Sequence, residues 1–169
     1  DRILGQMRRR YRTELYRNRI ETIIGALPHA GIGVDVISGF PGETEEDFLQ
    51  TVQFLEDLPV SYLHPFTYSE RADTPAATAS ESIPRQERTR RTNVLRALSA
   101  KKSMVFAASH AETVRPVLFE THLPDGRHQG WTDNYIRVAV ESDSIHPGDI
   151  RPVQLGKIDG THVQGWIAD

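Results

Sequence analysis

The 169-residue chain predicts a two-part α/β protein: a strand–helix–strand–helix piece of an α/β layer or barrel, then a small five-stranded antiparallel β-barrel. Three observations carry this. Short apolar, β-branched stretches at 32–38 and 60–68 alternate with segments of helical period up to residue 109. From residue 112 the pattern changes to closely spaced strand candidates separated by turn chemistry. The hydrophobic fraction of 38% and charged fraction of 25% are those of a chain able to bury a core.

The elements follow in order. Residues 1–9 read as a helix stub whose beginning is missing, charged and unlike an apolar leader. Arg12 to Leu27 reads as a second helix, with Leu15, Ile20, Ile23, Ile24 and Leu27 near helical spacing and Pro28-His-Ala-Gly31 as its stop. Ile32 to Ser38 is short and mostly apolar, as a strand covered on both faces should be. Gly39-Phe-Pro-Gly42 makes a turn. Thr44 then caps a helix, with Asp47 three residues on completing a capping-box arrangement. Phe48, Val52 and Leu55 form its inward stripe and Pro59 ends it. Val60 to Tyr68 is the next strand, Ser69 to Ile83 a long loop, and Pro84 opens a helix reaching Ser109. Such alternation implies parallel strand pairing.

Five strands then follow at 113–121, 127–132, 134–141, 149–158 and 162–168. Pro124-Asp-Gly126, Asp133, His146-Pro-Gly148 and Asp159-Gly160 separate them. Close spacing and glycine corners suggest a barrel of the oligonucleotide-binding kind. The expected division is 1–109 and 110–169.

Charge is split between these parts. Residues 1–102 hold 15 Lys+Arg against 14 Asp+Glu, whereas 103–169 hold 5 against 9. Positive charge clusters at Arg8, Arg9, Arg10, Arg12, Arg17 and Arg19, and again from Arg85 through Arg88, Arg90, Arg91 and Arg96 to Lys102. Such clusters read either as solvated helix faces or as a phosphate-facing stripe. No apolar run is long enough to span a membrane. With no cysteine, the chain itself offers no disulfide, no thiolate zinc site and no cysteine-ligated cluster.

Two places could hold ligands. The Gly39–Gly42 turn brings slim backbone to the C-terminal end of a buried strand, where parallel α/β folds bind, although a plain strand-to-helix turn looks the same. It is no phosphate loop, because Lys-Ser/Thr is absent and its neighbours are acidic. Tyr68-Ser-Glu-Arg-Ala-Asp-Thr-Pro-Ala-Ala77 lies at the matching end of the next strand, a rim for a polar ligand or simply a loop. The seven histidines are scattered singly, and no catalytic pair or metal-ligating cluster stands out, so no catalytic or metal residue is assigned. In the small barrel, Trp131, Tyr135 and Arg137 alternate along one expected strand. They would offer stacking surfaces and a cation to unpaired bases, or else fill the barrel interior.

These motifs, in this order, resemble the radical S-adenosylmethionine methylthiotransferases over essentially the whole chain. Val36-Ile-Ser-Gly-Phe-Pro-Gly-Glu-Thr-Glu-Glu-Asp-Phe48 is similar to their fifth-strand segment, and Met7-Arg-Arg-Arg-Tyr11 to their Met-x-Arg-x-Tyr stretch. Residues 68–77 resemble their sixth-strand loop, with Arg71-Ala-Asp-Thr-Pro75 where Arg-x-Gly-Thr-Pro is usual. The final domain resembles their TRAM barrel. Leu63-His-Pro-Phe-Thr-Tyr68 and Gly130-Trp-Thr-Asp-Asn-Tyr-Ile-Arg-Val138 lean toward the branch acting on threonylcarbamoyladenosine in transfer RNA.

The resemblance implies the second half of a partial radical S-adenosylmethionine (β/α) barrel followed by TRAM. It also implies methylthiolation of an adenosine beside the anticodon, in the cytoplasm. Asp35, Ser38 and Gly39 would then line the S-adenosylmethionine side of the mouth, with Arg9, Tyr68 and Arg71 near cofactor or substrate. Trp131, Asn134, Tyr135 and Arg137 would touch RNA, and the helix carrying Arg88, Arg91 and Arg96 would be a phosphate rail. Two 4Fe–4S clusters belong to the family, with cysteine ligands outside this chain. The chain is therefore expected to be the inactive carboxy-terminal part of a longer protein, working with its amino-terminal part, an electron donor and the anticodon stem-loop. The alternatives are the branch that modifies a ribosomal-protein aspartate and a non-catalytic RNA-binding module.

Overall fold

The computed structural model describes residues 1–78 and 81–168, without the side chains of residues 77 and 78. The chain divides into two compact units, Asp1–Lys101 and Lys102–Asp169.

In the first unit, α1 (Arg2–Gln6) is shorter than the expected stub, and α2 (Thr13–Ala26) begins at Arg12 without a side-chain cap. β1 (Gly33–Ser38) pairs in parallel with β2 (Tyr62–Thr67), Gly33 beside Tyr62 through Ser38 beside Thr67. Between them, α3 (Glu45–Asp57) starts on the expected capping box: the Asp47 amide donates to Thr44 Oγ1 and the Thr44 amide to Asp47 Oδ2. Three acids in its first turn sit at the positive helix end. α4 (Arg85–Ala108) follows a loop holding a 3-10 turn at Pro75–Thr78; residues 79 and 80 of that loop lie outside the described residues. The core joins Ile20, Val34, Phe48, Leu55, Leu63, Leu95 and Leu98, with Val52 packed against it.

One expectation fails here. β1 is covered on one face only, with Val34 and Ser38 buried while Gly33, Asp35 and Ile37 are exposed. β2 continues that open face through His64 and Phe66. The apolar stripe of α2 is likewise mostly uncovered. Ile20 is buried, but Leu15, Ile23 and Leu27 are 43%, 42% and 61% exposed. Periodicity reveals an amphipathic face, not what covers it.

In the second unit, β3 (Val114–His122), β4 (His128–Thr132), β5 (Arg137–Val140), β6 (Ile150–Asp159) and β7 (His162–Ile167) close into a barrel in the order β3-β4-β5-β7-β6. Four of the five junctions are antiparallel. β5 and β7 pair in parallel, against the all-antiparallel expectation. Inward Val117, Phe119, Val138, Val153, Leu155 and Val163 fill the interior, and Phe106 and Ala107 of α4 pack against them. Gly165 belongs where it is because a Cβ there would lie 2.5 Å from Val153 Cγ1 and 2.8 Å from Val138 Cγ1. No described helix is long and apolar enough to cross a membrane.

Candidate functional site

The open face of β1 and β2 forms part of the wall of a cavity of about 1050 Å³, within the first unit. Side chains from the α1–α2 junction and from α3 complete its walls. Of the residues expected at a cofactor site, Asp35, Arg9, Tyr68 and Arg71 line this cavity. Asp35 reaches it because strand alternation turns residue 35 away from Val34 and onto the uncovered face.

Ser38 and Gly39 do not line it, which corrects the expectation for both. Ser38 is 1% exposed and its hydroxyl lies 2.9 Å from Thr92 Oγ1, which is also 2.7 Å from Thr67 Oγ1. These hydroxyls tie the ends of both strands to α4. Gly39 has φ +80°, and a Cβ there would run into the Arg88 side chain at 2.6 Å, so glycine is demanded by packing and backbone conformation.

Two of the three rail arginines, Arg88 and Arg91, are also turned inward, while Arg96 is exposed. Arg91 is 5% exposed, donating from Nη1 to Glu43 Oε2 at 2.7 Å and to the Glu43 carbonyl at 2.9 Å, and from Nε to Glu87 Oε1 at 2.8 Å. Glu43, itself 6% exposed, also accepts the Gly39 amide at 2.8 Å. Arg91 thus clamps the Gly39–Gly42 turn to α4. Arg88 donates to the carbonyls of Ile83 and Tyr68 and to Ser82 and Glu70, with its guanidinium 5.4 Å from the Tyr68 ring centroid. Neither is a free phosphate contact. Composition showed a basic cluster, but Glu87 on the same helix and Glu43, Glu45 and Glu70 from other segments pair with Arg88, Arg90 and Arg91.

Tyr68 is held by Arg88 and by Phe40 edge-on at 5.3 Å. Its buried hydroxyl has no hydrogen-bond partner among the described residues. A buried phenol lacking a partner carries a desolvation cost that a polar ligand atom would relieve. In the loop beyond, Asp73 adopts φ +63°, so the residue replacing the family's glycine takes the left-handed conformation itself, as aspartate tolerates.

Charge around the cavity is set by near neighbours. The Arg2 guanidinium, against the resistance of burial and with help from Thr44, lowers Asp47 to about 2. Glu87 is lowered to about 2 chiefly by Arg90, against burial and with help from Arg91. Burial, with Tyr11 and Asp35 nearby, pushes the Tyr16 phenol up. The donor set does not fit an iron–sulfur cluster: there is no cysteine, and no group of three His, Asp or Glu among the described residues is placed to hold a metal.

In the second unit, Trp131 lies on β4 and Arg137 on β5, directly paired across the ladder, with the guanidinium 4.7 Å from the ring centroid. Trp131, Tyr135 and Arg137 therefore do not alternate along one strand but belong to a hairpin, in keeping with the strand break expected at Asp133. Tyr135 sits in its turn at φ +66°, 66% exposed. Asn134 is buried, its Oδ1 accepting from Thr132 Oγ1 at 2.6 Å, so it shapes the turn instead of facing RNA. Trp131, Tyr135 and Arg137 nevertheless gather at one hairpin. His162, whose Nε2 is 2.8 Å from Gln129 Oε1, is lowered by burial, then by Arg137 and Arg127.

No family model matches the chain. It is 32% identical over 167 residues to Threonylcarbamoyladenosine tRNA methylthiotransferase MtaB of Bacillus subtilis, covering 96% of this chain and 37% of that protein. It is 42% identical over 178 aligned positions to tRNA-2-methylthio-N(6)-dimethylallyladenosine synthase of Nocardia farcinica, covering 100% of this chain and 35% of that protein. The MtaB of Aquifex aeolicus is 35% identical over 142 residues, covering 83% of this chain and 33% of that protein. The chain thus spans about a third of the length of these curated relatives. These matches, with the strand–turn–helix motif and the terminal barrel both present, make the chain similar, along most of its own length, to about a third of each of these methylthiotransferases.

Proposed function

We propose that this chain is the ligand-holding part of a cytoplasmic tRNA methylthiotransferase, residues 1–109 being the second half of a radical S-adenosylmethionine barrel and 110–169 a TRAM domain. The observation that carries the reading is the cavity beside β1 and β2, lined by Asp35, Arg9, Arg71 and Tyr68, the last with a buried hydroxyl that has no partner among the described residues. Its volume suits a nucleoside-sized ligand. S-adenosylmethionine, when bound, supplies radical chemistry and the methyl group. The protein's part is to bind and orient. Tyr68 donates its phenolic hydrogen bond to a polar ligand atom, Arg9 and Arg71 offer forks to a carboxylate or phosphate, and Asp35 accepts from an amine or hydroxyl. Trp131 and Tyr135 provide stacking faces for unpaired bases, with Arg137 beside them. The clusters, their reductant and the remaining part of the enzyme lie outside this chain, which alone is inactive.

The substrate is an N6-modified adenosine next to the anticodon, and threonylcarbamoyladenosine is the first reading. A second, dimethylallyladenosine, is favoured by the 42% identity to the Nocardia protein along the entire chain. The experiment is nucleoside mass spectrometry of transfer RNA from a strain lacking the gene. Loss of the methylthio form of threonylcarbamoyladenosine, restored by the full-length gene but not by its Tyr68→Phe variant, is expected. Loss of the dimethylallyl counterpart would select the second reading. Unchanged transfer RNA, with an altered mass of a ribosomal protein, would replace both.

A further inference from the structure

The arginines of this chain fall into two classes once their partners are traced. Three on α4 are engaged: Arg88 and Arg91 are buried, and Arg90 bridges Glu45 and Glu87. In the segment between α1 and α2, by contrast, Arg8, Arg9, Arg10 and Arg12 are exposed. None makes an ion pair or side-chain hydrogen bond among the described residues. From residue 8 to 19 six arginines face a single acid, Glu14.

This segment is a shaped piece of backbone. The amides of Met7, Arg8 and Arg9 donate to carbonyls of α1, Arg8 takes φ +58°, and the Thr13 amide donates to Asp1 Oδ1 at 2.9 Å. Its position matters most. Arg9 and Tyr11 line the cavity beside β1 and β2, and the same two residues, with Arg10 and Arg12, line an adjoining open hollow. Cavity and hollow therefore share a wall. Like charges held at this density repel one another unless a polyanion neutralises them. Guanidinium forks match phosphate oxygens in pairs.

We infer that residues 8–12 form a phosphate-binding arm that holds the backbone of a single-stranded RNA segment while one of its nucleosides occupies the neighbouring cavity. The inference rests on the RNA-substrate reading above and moves the phosphate contact from α4 to this arm. Each neutralised phosphate of a single strand steepens the dependence of log binding constant on log salt by about 0.7.

The test is a salt titration of the 169-residue chain binding a fluorescent anticodon stem-loop RNA. Arg10→Gln with Arg12→Gln should flatten the slope by about 1.4, two phosphates' worth. Arg96→Gln, which removes an exposed cation from α4, should leave it unchanged. Thermal melts establish that the variants are folded, and Arg10→Gln alone, expected to flatten the slope by about 0.7, serves if the double variant melts early. A folded variant with the parental slope, or an equal loss in Arg96→Gln, would overturn the arm while leaving RNA binding intact. A parental chain that binds no RNA at any salt would overturn both the arm and the RNA reading.

Discussion

Individual side chains here do work that their type does not announce. Arg91 and Glu43 have side chains only 6% and 4% exposed, and together they fix the turn that follows β1. Removing one partner leaves the other charge buried, so Arg91→Leu should lower stability by about 3–5 kcal/mol in denaturant unfolding. A loss below about 1 kcal/mol would show the pair to be solvated in practice. Trp131 presents the opposite case, a ring at a hairpin with a cation over one face. Trp131→Ala should weaken anticodon stem-loop binding by about 1–3 kcal/mol if the ring stacks on a base. Unchanged affinity in a folded variant would confine the ring to packing against Arg137.

Among the elements, α3 is the one whose local chemistry is most complete, and its entry defines one wall of the cavity. Thr44→Ala removes the cap and should cost about 1 kcal/mol in thermal or denaturant unfolding, whereas Thr44→Ser should be nearly neutral. Asp47 couples that cap to acidity. Its carboxyl is lowered to about 2 when folded, from an ordinary value of about 3.9, so the folded state gains fully above pH ~4 and loses that gain as pH falls toward 2. Arg2 is the largest cause, so Arg2→Gln should raise the Asp47 midpoint in a carboxyl NMR titration. A midpoint still near 2 would assign the shift to Thr44 instead.

At the scale of the molecule, two cores are built from separate stretches of sequence, one from residues 20–98 and one from residues 117–163 with Phe106 and Ala107 against it. Residues 102–169 expressed alone should therefore give a dispersed amide spectrum. A version starting at residue 112 should be less stable, because it loses Phe106, Ala107 and the His110 ring that packs 4.5 Å from Phe106. Equal stability of the two would show that the end of α4 adds nothing to the barrel. A collapsed, undispersed spectrum from the longer version would show that the barrel core cannot fold by itself.

The sequence by itself determined the order and kind of nearly every element, because those depend on neighbours along the chain: the Thr44–Asp47 box, Pro59 and Pro84 as boundaries, and the turn residues between the barrel strands. It also placed Asp35, Tyr68, Arg71 and Arg9 in segments that converge on one cavity. Only the tertiary structure decided which faces are covered and which charges are neutralised. β1 looked doubly buried because apolar residues favour strands whether or not both sides are packed. The resemblance put Ser38 and Asn134 at ligand surfaces, but the fold buries both and gives them Thr92 and Thr132 as partners. The parallel β5–β7 junction is a matter of closure, which strand patterns do not encode. Arg88 and Arg91 looked like a rail because Glu70 and Glu43 lie far from them in the chain, whereas Arg8, Arg9, Arg10 and Arg12 make no ion pair among the described residues. Ion pairing and burial join residues distant in sequence, and that distance is what a linear reading does not see.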